Sequence, residues 1–161
     1  MPNAPRQTID YDFWGNYTGK VDKKGRVQVP GDFFQDLVES DQEQVWVRKG
    51  IGKVKGYLEI WPISANDRLK EETKQISDVE ARKRMLRGYA SLGRPCKLDK
   101  QGRLVLPQEF RKLFGEAEEV VWLGIDRVIE LWPMKRFEEC ENDLADGANA
   151  VKLEEKDKFT V

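Results

Sequence analysis

The chain carries one segment twice, and this repetition restricts its fold more than any other feature of the sequence. Residues 20–30 read KVDKKGRVQVP, and residues 97–107 read KLDKQGRLVLP. In each copy an Asp, two further residues and a Gly-Arg pair lie between short apolar runs. Asp favours the first position of a type I turn, and Gly supplies the left-handed residue that follows it. Each copy therefore predicts a basic loop carried by a pair of adjacent strands.

The similarity extends to the segments that follow the loops. Pro30 and Pro107 each end a strand and open a short helix. Two later strands also match, namely residues 44–47 with 120–123 and residues 57–62 with 128–133. Each repeat reads as strand, tight turn, strand, short helix, strand, turn, strand and longer helix. We therefore predict a β-rich α+β fold made of two pseudo-symmetric βαββ repeats.

Apolar periodicity and turn signals divide the chain into five predicted segments. A repeat of roughly 60–70 residues would have a marginal core by itself, so we expect both repeats to share one domain. The connection between them reads as helical, with a break at the capping box Ser77-Asp78-Val79-Glu80. The segments are a flexible N-terminal extension (1–12), the first repeat (13–63), a helical connector (64–93), the second repeat with a C-terminal helix (94–144) and a flexible tail (145–161).

Several classes of chemistry find no support in the composition. The chain has no histidine, the commonest general base and metal ligand, and no glycine-rich phosphate loop. Cys96 and Cys140 are too few and too far apart for a disulfide framework, and we expect both to be reduced structural thiols. No apolar run is long enough to span a bilayer. We predict a cytoplasmic protein that is not an enzyme, with no catalytic residue, metal, cofactor, small-molecule substrate or membrane contact.

Charge is distributed unevenly along the chain, although the net charge is only −1. Residues 20–26 contain four cations and one acid, and residues 94–103 contain the same numbers. Residues 135–146 contain two cations and five acids. This separation is expected if the loops meet a polyanion. A further basic group at residues 82–87 is interpreted as a solvated helix face with ion pairs to acids such as Glu80.

The two loops contain the candidate functional residues. The candidate DNA-binding residues are Lys20, Lys23, Lys24, Arg26, Lys97, Lys100 and Arg103. The candidate loop-shaping residues are Asp22, Gly25, Asp99 and Gly102. We expect the lysines to meet phosphates, whereas Arg26 either reads a guanine edge or fixes the loop by pairing with Asp22. Because Gln101 takes the place of Lys24 in the second loop, we expect the first loop to be the main DNA contact.

The doubled Asp-x-x-x-Arg loop, each copy followed by proline and a short helix, resembles the MraZ family of bacterial transcriptional regulators. The similarity covers roughly residues 13–144 and includes the strand-to-helix junctions at Pro62 and Pro133. The resemblance implies two AbrB/SpoVT-like repeats with a double-split β-barrel-like core, assembled into a ring homo-oligomer. It also implies a nucleoid-associated repressor of its own division and cell-wall gene cluster, which binds G-rich direct repeats in promoter DNA.

Three segments depart from the family pattern: the residues before Phe13, the longer loop Arg48–Gly56 and the tail after Ala145. An alternative function also stays open. In it the protein is an oligomeric assembly that does not bind DNA, or an antitoxin-like protein-interaction module whose basic loops pair with acidic surfaces. The near-neutral net charge is compatible with this alternative, because it provides no general attraction to nucleic acid.

Overall fold

The structure is a computed structural model that describes residues 12–38, 43–51, 54–115, 119–141 and 143. The predicted flexible tail, and all but the last residue of the predicted N-terminal extension, lie outside the described residues. The described strands are β1 (Phe13–Lys20), β2 (Arg26–Gln28), β3 (Gln44–Lys49), β4 (Leu58–Trp61), β5 (Gly93–Lys97), β6 (Arg103–Val105), β7 (Glu119–Asp126) and β8 (Val128–Pro133). The described helices are α1 (Gly31–Leu37), α2 (Ile63–Lys74), α3 (Val79–Leu92), α4 (Gln108–Phe114) and α5 (134–141). This order confirms the predicted α+β class and the predicted succession of elements in both repeats.

The strands of the two repeats are interleaved in two antiparallel sheets. The larger sheet has the order β1-β7-β8-β4-β3-β5, and the smaller is a ribbon of β2 and β6. We predicted that each basic loop joins a strand pair of its own repeat, and this is wrong beyond the loop itself. One bridge closes each turn, Val21 to Val27 and Leu98 to Leu104, and the strands then separate to pair with the other repeat. A single repeat is too small to bury its strands well, whereas this exchange gives both repeats one core.

A pseudo-two-fold axis relates the two repeats. In the ribbon, Val27 lies opposite Leu104, its counterpart in the other repeat. In the larger sheet, Glu59 lies opposite its counterpart Glu130 on the adjacent strands β4 and β8. The axis therefore passes through the centre of both sheets.

One hydrophobic core joins the ribbon, the larger sheet and the two short helices. Its members include Val27 and Leu104 from the ribbon, Ile60 and Ile129 from the sheet, and Phe33 and Phe110 from α1 and α4. All of these side chains are almost completely buried. Because the core takes one face of the ribbon, the opposite face of β2 and β6 is turned outward.

The tryptophans of the two repeats do not occupy matching positions. Trp46 lies opposite Trp61 on β3 and β4, whereas Val121 lies opposite Trp132 on β7 and β8. The alignment of β3 with β7 that we predicted from the sequence is therefore wrong by one residue. Side chains alternate between the two faces of a strand, so Trp122 lies fully buried in the core while Trp46 lies on the other face.

Helices α2 and α3 connect the repeats, with the predicted break between them. The N-cap of α3 is Asp78 rather than Ser77, the first residue of the predicted capping box. Asp78 Oδ1 accepts hydrogen bonds from the backbone N–H groups of Glu80 and Ala81, at 3.0 and 3.1 Å. A carboxylate at this position also interacts favourably with the helix dipole. Of the helices in the described ranges, none combines the length and the apolar character needed to cross a bilayer.

Candidate nucleic-acid interface

The first loop (loop 1, residues 22–26) is held in shape by the carboxylate of Asp22. Its Oδ1 accepts hydrogen bonds from the backbone N–H groups of Lys24 and Arg26, both at 2.9 Å. Its Oδ2 accepts a hydrogen bond from Arg26 Nε at 2.7 Å. Gly25 has a φ of 77°, a left-handed conformation that glycine adopts without steric cost. Asp22 and Gly25 thus occupy positions from which they determine the path of the loop.

The second loop (loop 2, residues 99–103) has the same internal geometry. Asp99 Oδ1 accepts hydrogen bonds from the backbone N–H groups of Gln101 and Arg103, both at 2.9 Å. Asp99 Oδ2 accepts a hydrogen bond from Arg103 Nε at 2.7 Å, and Gly102 has a φ of 78°. The two loops therefore have equivalent hydrogen bonds, although one of their middle residues differs.

Both loop carboxylates have a pKa below the usual range of aspartate. The main cause is the hydrogen bond from the backbone N–H of the loop arginine, Arg26 for Asp22 and Arg103 for Asp99. The guanidinium of the same arginine lowers the pKa further. Hydrogen bonds to the ionised form favour that form, so both carboxylates remain charged at neutral pH and keep their arginines oriented.

Arg26 and Arg103 lie on the outward face of the ribbon. Val27 follows Arg26 in β2, and Leu104 follows Arg103 in β6. Both of these following side chains point into the core. The outward face carries Arg26, Gln28, Arg103 and Val105. Each arginine uses Nε for its aspartate, and its two Nη groups have no hydrogen-bond partner among the described residues. The two roles considered for Arg26 are therefore compatible, because pairing with Asp22 leaves the Nη groups available for a base edge.

The predicted lysines surround the two loops. All five are exposed, and none forms an ion pair with another described residue: Lys20, Lys23 and Lys24 beside loop 1, and Lys97 and Lys100 beside loop 2. The loops lie at opposite ends of the ribbon, since Gly25 O accepts from Leu106 N–H and Gly102 O accepts from Val29 N–H. The fold thus places the five predicted lysines in two groups, one beside each end of the ribbon, with Arg26 and Arg103 between them.

Loop 2 has a smaller excess of positive charge than the sequence indicates. Arg94, which lies in the basic stretch around this loop, pairs with Glu109 of α4, and the Nε to Oε1 distance is 2.6 Å. An open depression beside the loop is lined by Glu43, Lys97, Asp99, Lys100, Gln101 and Arg103. The two acids in this lining weaken the field that an incoming phosphate meets.

Two residues that the sequence did not single out hold the loops from the opposite repeat. Arg111 of α4 donates through Nη2 to the carbonyl of Lys24, and through Nε to the carbonyl of Leu106 at 2.9 Å. Gln28 donates through Nε2 to the carbonyls of Gln101 and Gly102, both at 3.1 Å. Arg111 and Lys24 are 87 positions apart in the chain, so no local pattern reveals this contact.

The remaining titratable groups outside the loops are mostly structural. Cys96 and Cys140 are buried free thiols, and burial raises the pKa of the Cys96 thiol to about 12. Within the described ranges, no three His, Cys, Asp or Glu side chains come together in a way that could hold a metal ion. What the described loops offer a ligand is a set of cationic hydrogen-bond donors on a fixed backbone.

The fold and the loops define a class of protein: two interleaved basic-loop repeats that share one core. The family model described as "MraZ protein, putative antitoxin-like" matches residues 13–88 and 94–159, one match for each repeat. The chain belongs to the MraZ family.

Three relatives illustrate the similarity, and each carries the name "Transcriptional regulator MraZ". The protein from Finegoldia magna is 30% identical over 149 residues, which cover 88% of this chain and 99% of that protein. The protein from Acidobacterium capsulatum is 30% identical, with 79% of this chain and 86% of that protein covered. The protein from Herpetosiphon aurantiacus is 31% identical, with 86% and 93% covered.

Proposed function

We propose that this protein is a sequence-specific DNA-binding transcriptional regulator that acts on promoter DNA at the nucleoid, in the cytoplasm. The names of its relatives support a role in transcription. The observation that carries the proposal is the ribbon, whose outward face presents Arg26 and Arg103 and is flanked by two basic loops. The major groove of B-DNA admits a two-stranded β-ribbon, and β-ribbon proteins read bases in this way.

The arginines are the sequence-reading residues of this proposal, and the lysines are the phosphate contacts. Arg26 lies opposite Val105, and Gln28 lies opposite Arg103, so the two arginines are diagonal neighbours on the ribbon. Diagonal neighbours in a ladder have α carbons about 7–8 Å apart, close to two base-pair steps. Each guanidinium can offer its Nη groups to guanine O6 and N7, which makes G-rich boxes the favoured target.

A single molecule has too few cations for tight binding, so we include a ring homo-oligomer in the proposal. Each phosphate contact contributes a salt slope of only about −0.9, and linked loops on repeated boxes gain about 10²- to 10⁴-fold by avidity. Charge complementarity supports contacts between copies. Lys83 and Arg87 of α3 are exposed and form no ion pair with a described residue, so the predicted pairs with Glu80 are absent there. Glu138 and Glu141 of α5 are also exposed and form no ion pair with a described residue. Such a head-to-tail contact closes into a ring when the rotation allows it.

The regulated target in this proposal is the division and cell-wall gene cluster to which the protein's own gene belongs, and the effect is repression. An oligomer seated on direct repeats within a promoter would block access of RNA polymerase. A reporter fused to that promoter measures the effect directly. Overexpression should lower reporter activity, and unchanged or increased activity would contradict repression.

The first test is fluorescence anisotropy with labelled duplexes that carry G-rich direct repeats or a scrambled sequence, at two salt concentrations. Wild type should prefer the repeats, and Arg26→Ala should lose about 5- to 150-fold in affinity for them, the range expected for one bidentate guanine contact. Arg127→Ala is the matched control, because Arg127 is a half-buried arginine paired with Glu72 away from the loops. Equal binding of both duplexes by wild type would contradict the sequence-reading role of the arginines.

The alternative is an oligomeric assembly without DNA binding, or an antitoxin-like module whose loops contact an acidic protein partner. The words "antitoxin-like" in the family description favour keeping this second candidate. Charge reversal at Lys23 and Lys24 separates the two functions. It should abolish retention on promoter DNA in the regulator, whereas a protein-binding module would show no retention on DNA even as wild type.

A further inference from the structure

Loop 1 and loop 2 are equivalent in all their backbone contacts across the ribbon. Gly25 O accepts a hydrogen bond from Leu106 N–H at 2.9 Å, and Gly102 O accepts one from Val29 N–H at 3.1 Å. Together with the matching aspartate networks, these bonds give each loop the same anchoring to the opposite repeat. A functional difference between the loops must therefore come from side chains.

The side chains that support the two loops from the opposite repeat are different. The carbonyl of Lys24 in loop 1 accepts from the guanidinium of Arg111, whereas the corresponding carbonyl of Gln101 in loop 2 accepts from the neutral amide of Gln28. A Cβ on Gly25 would collide with the Arg111 side chain, which shows how closely this side chain fits the loop. Phe34, the counterpart of Arg111 in the first repeat, fills the corresponding space, 3.1 Å from a Cβ built on Gly102.

We propose that Arg111 is a positioning residue of the DNA interface, which fixes loop 1 from the second repeat and makes loop 1 the stronger of the two contacts. This inference rests on the proposed DNA-binding function. A hydrogen bond from a charged donor is roughly twice as strong as one between neutral groups, so loop 1 is held more firmly than loop 2. The planar guanidinium also bridges two carbonyls, those of Lys24 and Leu106, which ties the loop to the end of β6.

Arg111 also increases the charge difference between the loops. With it, loop 1 has five cations, Lys20, Lys23, Lys24, Arg26 and Arg111, near two acids, Asp22 and the Asp32 that accepts a hydrogen bond from Tyr17. Loop 2 has three cations, Lys97, Lys100 and Arg103, near the two acids Asp99 and Glu43, because Arg94 is paired with Glu109. The Nη1 group of Arg111 has no hydrogen-bond partner among the described residues, and the guanidinium forms no ion pair with a described acid. Its positive charge therefore adds to the field around loop 1.

The experiment is the anisotropy titration on the G-rich repeat duplex with the full-length protein and three variants. Arg111→Gln should weaken binding by about 10- to 100-fold, because loop 1 loses its charge-assisted support. Arg127→Gln is the matched control, because it removes one arginine charge away from the loops, and it should leave binding unchanged. Arg111→Lys keeps the charge but cannot bridge two carbonyls, so it should keep the wild-type salt slope while binding less tightly.

Amide hydrogen exchange supplies a second measurement that does not need DNA. Arg111→Gln should speed exchange at Gly25, whose N–H donates to Asp22 O, and leave Gly102 unchanged, while Gln28→Ala should do the reverse. Circular dichroism checks that the variants fold. If Arg111→Gln does not fold, Arg111→Lys takes its place in both measurements.

Two results distinguish failure of this inference from failure of the proposed function. Tight wild-type binding that Arg111→Gln leaves unchanged, or that Arg127→Gln weakens as much as Arg111→Gln does, overturns the role of Arg111 alone. Wild type that binds neither duplex overturns the DNA-binding function, and this inference with it.

Discussion

Glu59 and Glu130 face each other across the pseudo-two-fold axis, both buried, but among the described residues only Glu59 has a cationic partner. Each carboxylate accepts a hydrogen bond from the indole two residues later in its own strand, at 3.1 Å from Trp61 and 3.0 Å from Trp132. Glu59 also accepts from Arg48 Nη2 at 2.7 Å, whereas the residue opposite Glu130 on the neighbouring strand is Leu123. Of these two adjacent buried carboxyl groups, the buried cation Arg48 therefore neutralises one, that of Glu59.

Glu130, which has no cationic partner among the described residues, should make the stability of the protein depend on pH. Burial raises the pKa of Glu130 above its usual value of 4.5, and the charge of Glu59 raises it further. A raised pKa in the folded state means that stability is highest while Glu130 is protonated and is lost as pH rises through the folded pKa. Glu130→Gln removes this loss. Thermal melts should show the variant more stable than wild type at pH 8, with the difference shrinking towards pH 4.

Glu59→Gln is the matched control, and its effect should have the opposite sign. It leaves the guanidinium of Arg48, which is only 3% exposed, without a counter-charge. Breaking a buried ion pair by removing one partner costs about 3–5 kcal/mol. Denaturant unfolding at pH 7 should therefore show a large loss of stability for Glu59→Gln. Similar shifts in both variants would refute the distinction drawn between the two carboxyl groups.

The sequence predicts the loops well because their geometry is local. The aspartate, the left-handed glycine and the arginine of each loop lie within five residues of one another, so their spacing alone specifies the turn. The partner of each strand is not local. The same apolar pattern suits pairing with the next strand or with a strand of the other repeat, and only the shared core decides between them.

The tryptophan alignment failed for a related reason. Sequence similarity favours matching Trp46 with Trp122, whereas the ladders match Trp122 with Val47 and Trp46 with Val121. A shift of one residue moves a side chain to the opposite face of the sheet, so the two indoles occupy different environments. The role of Arg111 was equally invisible, since it depends on a contact between the two repeats.

A glycine pair tests how tightly loop 1 is packed. Gly25→Ala should destabilise the protein by about 1–3 kcal/mol, because alanine is strained at a φ of 77° and its Cβ would meet Arg111. Gly88→Ala in α3 should stabilise by up to about 1 kcal/mol, because a Cβ there meets no atom within 4 Å and alanine favours a helix. Urea unfolding measures both changes. Equal effects of the two substitutions would contradict the close fit of Arg111 against Gly25.

The aspartate of loop 1 should orient Arg26 over the whole physiological pH range. Its lowered pKa means that the stabilising interaction is present above its usual value of 3.8 and is lost as pH falls through the folded pKa. DNA affinity at constant salt should therefore change little between pH 5 and pH 8, and a steep change there would count against the network. Asp22→Asn should weaken binding by about 10-fold, because an amide can present only one acceptor oxygen to three donors.

Assembly through opposite charges gives a prediction with an internal rescue. Lys83→Glu with Arg87→Glu makes the exposed face of α3 acidic, and Glu138→Lys with Glu141→Lys makes that of α5 basic. Each double variant should fail to assemble alone, because its own copies then present like charges to each other. A mixture of the two double variants should assemble. The acidic α3 of one variant then meets the basic α5 of the other, and the basic α3 of the second meets the acidic α5 of the first. Light scattering after size exclusion measures the masses, and a mixture that stays monomeric, or double variants that assemble as wild type does, would contradict this contact.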